Sequence, residues 1–258
     1  MRSIDLNADT GEADSADWQA VEAQVMSYIS SANIACGGHA GDAESMKRTI
    51  ELARLSGVNI GAHPAYPDRE NFGRKSHKLN QDISARSLRE SLTAQISALI
   101  DISTEQDMNV TYVKPHGALY NDAVFDPELA ELIIATVKEI NPELWIMGAP
   151  QSELTQAAER QNMSFVAEGF VDRRYTDDGH LLSRAKAGAV LEDQSERTQQ
   201  ALSLWRGNAV ITDQRHELVL TVQTLCLHSD SPGAAQTAQA IRGSLETAGA
   251  TIKAFNDG

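Results

Sequence analysis

Short apolar runs recur along the chain, separated by longer stretches in which hydrophobic residues return every three or four positions. This alternation predicts βα units built around a parallel sheet. Strands are predicted over residues 3–7, 32–36, 58–62, 110–114, 144–148, 165–168, 219–228 and, more weakly, 251–255. Helices are predicted over 43–56, 83–103, 127–140, 152–161, 196–205 and 233–248. The first of these has start, face and stop together: Asp42 as N-cap, Met46, Ile50 and Ala53 on one stripe, and Gly57 at the end. No Ser/Pro/Gly-rich tract or charge block interrupts the pattern, so residues 1–258 read as one domain. Seven or eight βα units suffice to close a barrel, with an open doubly wound sheet as the topological alternative; the barrel is the preferred architecture. Two polar excursions stand out. Residues 65–82, with the core Asn71-Phe72-Gly73-Arg74, read as an active-site flap, and 172–190 form a second long loop.

Composition narrows the partner classes. Hydrophobic residues make up 41% and charged residues 22% of 258, which excludes intrinsic disorder and a disulfide scaffold. The net charge of −14 makes nucleic acid and anionic membrane poor partners, and it obliges any anionic ligand to find a local cationic cluster. No run approaches the ~18 apolar residues of a membrane span. The two cysteines, Cys36 and Cys226, lie in apolar runs and read as buried thiols, and an acidic, non-apolar start leads to the expectation of a cytoplasmic protein.

The chemistry is announced by where the histidines fall. His39, His63, His116 and His228 each follow a predicted strand, three of them in a Gly- or Pro-punctuated turn. In a parallel barrel the carboxyl ends of all strands face one way, so these side chains converge on one mouth. Asp5 and Asn7 alternate with Ile4 and Leu6 and so face the same side as Asp9, inward, where a polar group must be hydrogen-bonded, paired or bound to a ligand. Glu168, Asp172, Lys114, Arg74 and Arg173 extend the set, the last three as a point charge and two forks for a carboxylate or phosphate. Each histidine taken singly reads as readily as a hydrogen-bonded structural residue; the strand-end cluster does not. His77, His180 and His216 lack that context, although His180 lies where it can visit the mouth. Gly37-Gly38 suit a positive φ or a close backbone approach. No G-x-x-x-x-G-K-[ST] or G-x-G-x-x-G segment is present, which disfavours a self-sufficient ATPase of that type. His and Asp groups in one mouth can hold a divalent metal that activates water, with Asp5, His39 and His63 as candidate ligands, or act as acid and base around a polarised carbonyl. Either points to hydrolysis of a C–N or ester bond.

The segments IDLNADTGE, SANIACGGHAGD, IGAHPAYPDRENFGR, VKPHGALYN, EGFVDRRYTDDG and LCLHSDSPGA, in this order from residue 3 to about residue 234, closely resemble the LamB/YcsF family. The resemblance implies an incomplete, seven-stranded (β/α) barrel related to glycoside hydrolase and deacetylase barrels. It also implies ATP-dependent opening of 5-oxoproline (pyroglutamate) to L-glutamate, with Mg²⁺ accompanying ATP, performed together with 5-oxoprolinase subunits B and C. The family's motifs fall here on Asp5, Asn7, Asp9, Gly11, Glu12, His39, Asp42, His63, Asp68, Arg74, Lys114, His116, Glu168, Asp172, Arg173 and His228. Within that set Asp5, His63, Lys114 and His116 are expected to be catalytic. Asn7, His39, Arg74, Glu168, Arg173 and His228 are expected to bind substrate or phosphate. The sequence departs from the family pattern at Gly38, where an aromatic is common, and at Ser229-Asp230-Ser231. Two rival classes stay open: a stand-alone metal-dependent deacetylase or amidohydrolase, and a substrate-binding subunit without catalysis.

Overall fold

Strand β1 (Ser3–Thr10) runs through the centre of the molecule with Ile4, Leu6 and Ala8 on one face and Asp5, Asn7 and Asp9 on the other, all of them buried. The apolar face packs beneath helices, whereas the polar face points into a barrel. The computed structural model describes residues 2–228 and 233–257. Parallel strands β1, β2 (Ser31–Ala35), β3 (Asn59–His63), β4 (Val110–Val113), β5 (Trp145–Gly148), β6 (Phe165–Phe170) and β9 (Thr224–Leu227) pair in that order, and β9 pairs back onto β1. Among the described residues the ring has seven strands, and it closes through Asp5 opposite Thr224 and Ala8 opposite Leu227. A ring of helices covers it: α1 (Ala16–Met26), α2 (Ala43–Ser56), α3 (Ala85–Thr104), α5 (Pro127–Ile140), α6 (Glu153–Arg160), α7 (Gln194–Arg206) and α8 (Ala234–Thr247). The short α4 (Gly117–Asp122) follows His116 directly. Most of the buried apolar side chains lie in the layer between strands and helices.

The barrel interior differs from the usual layers of branched aliphatics. At its amino-terminal end Tyr112, Met147 and Val166 form a small apolar plug with Trp145 and Phe255. Gly61 sits where a Cβ would lie 2.3 Å from the Tyr112 ring, so the ring fills the axis only because β3 has no side chain there. Above the plug the interior is polar. Asp5 accepts hydrogen bonds from the hydroxyls of Ser30 (2.6 Å), Ser31 (2.8 Å) and Thr224 (2.5 Å). Asn33 donates to Asn7 (2.7 Å) and Asp9 (2.8 Å), and Tyr112 donates to Asn33 (2.7 Å). A ladder of buried polar groups thus climbs β1 from the plug to the mouth.

Three parts of the sequence reading change. The apolar run at 219–228 contributes only Thr224–Leu227 to the barrel. Residues 219–223 lie in no strand: they follow a two-stranded antiparallel ribbon of β7 (Val210–Ile211) and β8 (Glu217–Leu218), and Val219 is exposed. The weak final strand shrinks to β10 (Thr251–Ile252), which pairs with Ser3 and Ile4 outside the ring. Helix α1 was not predicted, because its inner face carries Glu22 where an apolar residue would complete the stripe. That carboxylate is buried and accepts the backbone N–H groups of Glu12 (3.0 Å) and Ala13 (3.2 Å), pinning the turn after β1. Burial pushes the Glu22 carboxyl above its ordinary range.

Candidate active site

The carboxyl ends of the strands open into a cavity of about 520 Å³ whose lining includes Asp9, Glu12, His63, Arg74, Lys114, His116, Glu168, Arg173 and His228. Its floor is ionic. Lys114 Nζ lies 2.8 Å from Glu168 Oε1, 3.0 Å from Asp9 Oδ1, 3.3 Å from Asn7 Oδ1 and 3.2 Å from Cys226 Sγ. Burial opposes the charge on Lys114, but Asp9, Cys226 and Glu168 together hold the ammonium well above its ordinary range. For Asp9, burial likewise works upward, and the attraction of His63 and Lys114 outweighs it, holding the carboxyl well below the usual range. The lysine is therefore fully engaged by the protein's own acids. It is not the unclaimed positive charge that the sequence reading assigned to a phosphate or substrate carboxylate.

One wall is built from imidazoles. His63 ends β3, and its Nδ1 donates to the Lys114 carbonyl (2.7 Å). His116 Nε2 donates to the Phe72 carbonyl (3.0 Å), and His116 Nδ1 faces His63 Nε2 at 2.9 Å. The His39 ring stacks on His116 with centroids 3.6 Å apart and 4° between planes, and its Nε2 lies 2.8 Å from Glu12 Oε1. Burial first, then neighbouring imidazoles, keep His39 and His116 well below the usual histidine range, so both rings are neutral. The flap supports this wall: Phe72 adopts φ 53°, a strained conformation for a bulky residue, and its ring meets both His39 and His116 edge-on. Gly38 fulfils the close approach expected of it, since a Cβ there would lie 2.3 Å from Gln95 Oε1, and Gln95 clasps the backbone of Ala65 at the base of the flap.

The opposite side is cationic. Arg173 is buried and donates to the carbonyls of Leu182 (2.7 Å) and Ala189 (3.4 Å), which shapes the 172–190 loop around it. Burial and then the neighbouring Arg184 pull its guanidinium down to about 10, still protonated at neutral pH. Arg184 and His180 come from the same loop and line the cavity. His228 Nδ1 lies 2.7 Å from Asp172 Oδ2, which leaves Nε2 as the second proton-carrying position of that ring. Burial raises the Asp172 carboxyl, but His228 outweighs that effect and the net direction is down.

Not every expected residue reaches the cavity. Asp5 is closed off beneath it by three hydroxyls, and Asn7 is held by Thr224 and Asn33, so neither lines the cavity. Asp5 is also not part of the ligand-type cluster in the mouth. That cluster consists of Glu12, His39, His63 and His116, whose ligand atoms lie within 4.8 Å of one another. Of the metal candidates named from sequence, His39 and His63 belong to the cluster, and Asp5 is replaced by Glu12 and His116. His39 lines an adjacent cleft that shares Glu12 and Arg74 with this cavity. Asp42 caps α2 and Asp68 holds Asn71 within the flap, so these two acids shape loops. The departure noted at residues 229–231 lies outside the described residues. Missed in sequence were Arg184, which has no strand-end context, and the role of Asp172 in holding His228, which pairs residues far apart in the chain.

The model of the LamB/YcsF family matches residues 4–258. The chain belongs to this family. Among curated relatives, the 5-oxoprolinase A subunit of Shouchella clausii is 41% identical over 256 residues, covering 99% of this chain and all of that one. The protein of the same name from Brevibacillus brevis is 39% identical over 254 residues, 98% of each chain. Among solved structures, the lactam utilization protein from Thermus thermophilus superposes with a TM-score of 0.88 at 33% identity, covering 98% of this chain and 99% of that one. No helix among the described residues is long and apolar enough to cross a membrane.

Proposed function

We propose that this chain is the substrate-binding and hydrolytic subunit of an ATP-dependent 5-oxoprolinase, opening the lactam of 5-oxoproline to L-glutamate together with B and C subunits. The observation that carries the reading is the polarity of the cavity. A buried guanidinium held by carbonyls, Arg173, with Arg184 beside it, stands opposite a wall of imidazoles and acids. A small anionic lactam has the same two ends, a carboxylate and a ring amide. The names of the relatives select 5-oxoproline among such molecules.

In this reading Arg173 and Arg184 fork the substrate carboxylate, which reverses the local field of an otherwise acidic protein. The lactam carbonyl is then directed towards the His63–His116 wall. His228, oriented by Asp172, takes the proton from a water molecule as its oxygen attacks the carbonyl carbon, following the general logic of a carboxylate-oriented imidazole base. The C–N bond breaks, and the ring nitrogen leaves as an amine after gaining a proton. An unactivated amide resists this; ATP, when bound, would supply what is missing by phosphorylating the lactam oxygen, so that ring opening by the first water leaves an acyl phosphate and a second water releases phosphate and L-glutamate. Arg74, Arg173 and Arg184 suit the added negative charge in the cavity. Lys114 acts from below, holding Asp9 and Glu168 in place. Asp5 and Asn7 position β1 and do not transfer protons.

The test is a turnover assay of the purified chain with and without B and C subunits. Formation of ADP and L-glutamate that requires 5-oxoproline and all three subunits is the expected result. Amide or ester hydrolysis by the chain alone, without ATP, would instead favour the deacetylase class. Full turnover by a His228→Ala complex would favour a binding subunit without catalysis.

A further inference from the structure

The facing nitrogens of His63 and His116 pose a problem of proton bookkeeping. Carbonyl oxygens only accept, so His63 Nδ1 and His116 Nε2 carry the ring protons, committed to the Lys114 and Phe72 carbonyls. When both rings are neutral, that leaves a lone pair on His63 Nε2 and another on His116 Nδ1, pointing at each other across 2.9 Å, with Asp9 Oδ1 3.4 Å from His63 Nε2. Such an arrangement is repulsive unless a cation sits at the convergence point. Glu12 Oε1 is 3.6 Å from His116 Nδ1 and 2.8 Å from His39 Nε2, while His39 Nδ1 is buried without a hydrogen-bond partner.

We propose that Glu12, His63 and His116 bind one divalent first-row transition-metal ion, with the His39 ring stacked on His116 and contacting Glu12. Ligands about 2.1 Å from a common ion and at roughly a right angle lie ~3 Å apart, close to the 2.9 Å between His63 Nε2 and His116 Nδ1, and Glu12 Oε1 lies 3.6 Å from His116 Nδ1. Two imidazoles and one carboxylate select Zn²⁺, Co²⁺, Mn²⁺ or Fe²⁺ over Mg²⁺ and Ca²⁺. The outer contacts match as well: a ligating histidine ordinarily gives its other N–H to a carbonyl or carboxylate, and both His63 and His116 do so. The positive φ of Phe72 is backbone strain spent on aiming one of those carbonyls. Glu12 is itself aimed, because Glu22 from α1 holds the backbone N–H of Glu12 and Ala13. Since Glu12, His63 and His116 line the main cavity, the ion's remaining coordination positions face the substrate space.

The inference does not rest on the lactam reading, and the two fail separately. The chain is stripped with a chelator, reloaded with Co²⁺ or Zn²⁺, and assayed for stoichiometry by elemental analysis and for affinity by the visible bands of Co²⁺. One ion per chain is expected, with affinity falling about 100-fold in His63→Gln and His116→Gln and unchanged in Arg86→Ala, on the exposed face of α3. Less than about one-tenth of an ion per chain in the wild type, or an unchanged affinity in both glutamine variants, overturns the proposal in favour of a proton shared between the two rings. Should the variants fail to fold, displacement of Co²⁺ by Zn²⁺ on the wild type decides the matter, absence of imidazole-type Co²⁺ bands ending it. A stripped chain that still opens 5-oxoproline in the full complex would leave the lactam reading intact and remove any catalytic part for the ion.

Discussion

Lys114 Nζ lies 2.8 Å from Glu168 Oε1 and 3.0 Å from Asp9 Oδ1, on a residue that is 2% exposed. One buried cation thus holds two buried anions, contributed by β1 and β6, the two strands that flank β9. Removing one partner of a buried ion pair leaves an uncompensated charge and costs about 3–5 kcal/mol. Lys114→Met should therefore lose roughly that much stability at pH 8, read from urea unfolding. The loss should shrink at pH 5, because carboxylates orphaned in the folded state take up protons as pH falls. A loss equal at both pH values would show that packing, and not charge, is what Lys114 supplies.

Asp5 gives a pH dependence of opposite origin. Burial lifts its carboxyl to about 6 from an ordinary 3.8, against the pull of three hydroxyl donors. The folded chain therefore binds this proton more tightly than the unfolded one. Its contribution is fully present below about pH 4 and is lost as pH rises towards 6, amounting to about 3 kcal/mol. Asp5→Asn keeps a neutral hydrogen-bonding group in place and should flatten the stability profile in that window, as measured by denaturant unfolding across the range. An unchanged slope would assign it to another group.

The Asp172–His228 contact of 2.7 Å predicts a split between rate and binding. Asp172→Asn leaves the ring in place but withdraws the charge that orients and stabilises it. In the assembled complex kcat should fall about 100-fold, with KM for 5-oxoproline changing by no more than about threefold. A rise in KM at constant kcat would move His228 from proton transfer to substrate binding.

Arg184 is exposed and makes none of the loop-shaping bonds of Arg173, so its removal leaves the scaffold intact. A charge-assisted hydrogen bond is worth about 1.5–3 kcal/mol, and Arg184→Ala should raise KM for 5-oxoproline by roughly 10- to 100-fold. Arg173→Ala should in addition loosen residues 172–190, detectable as faster proteolysis within that segment. Equal KM for Arg184→Ala and wild type would place the substrate carboxylate elsewhere.

The alternation of apolar runs with helical stretches determined the barrel and the convergence of His63, His116 and His228 at one mouth, because every parallel strand delivers its carboxyl end to the same side. The inward facing of Asp5, Asn7 and Asp9 was equally legible, since a period of two needs no tertiary information. How far up the barrel each polar group sits was not. Asp5 and Asp9 share a face, yet the first is sealed by hydroxyls from β2 and β9 while the second meets Lys114 at the mouth. The state of a charge was likewise decided in three dimensions: Lys114 looked available and is saturated by acids, whereas Arg173 is held by carbonyls. Glu12 and Glu22 make the same point. The sequence reading predicts no helix around Glu22, and only the packing of α1 against the strand ends makes Glu22 a backbone clamp and Glu12 a member of the imidazole cluster. Periodicity fixes direction, but distance between groups on different strands depends on register and loop path, which no local pattern encodes.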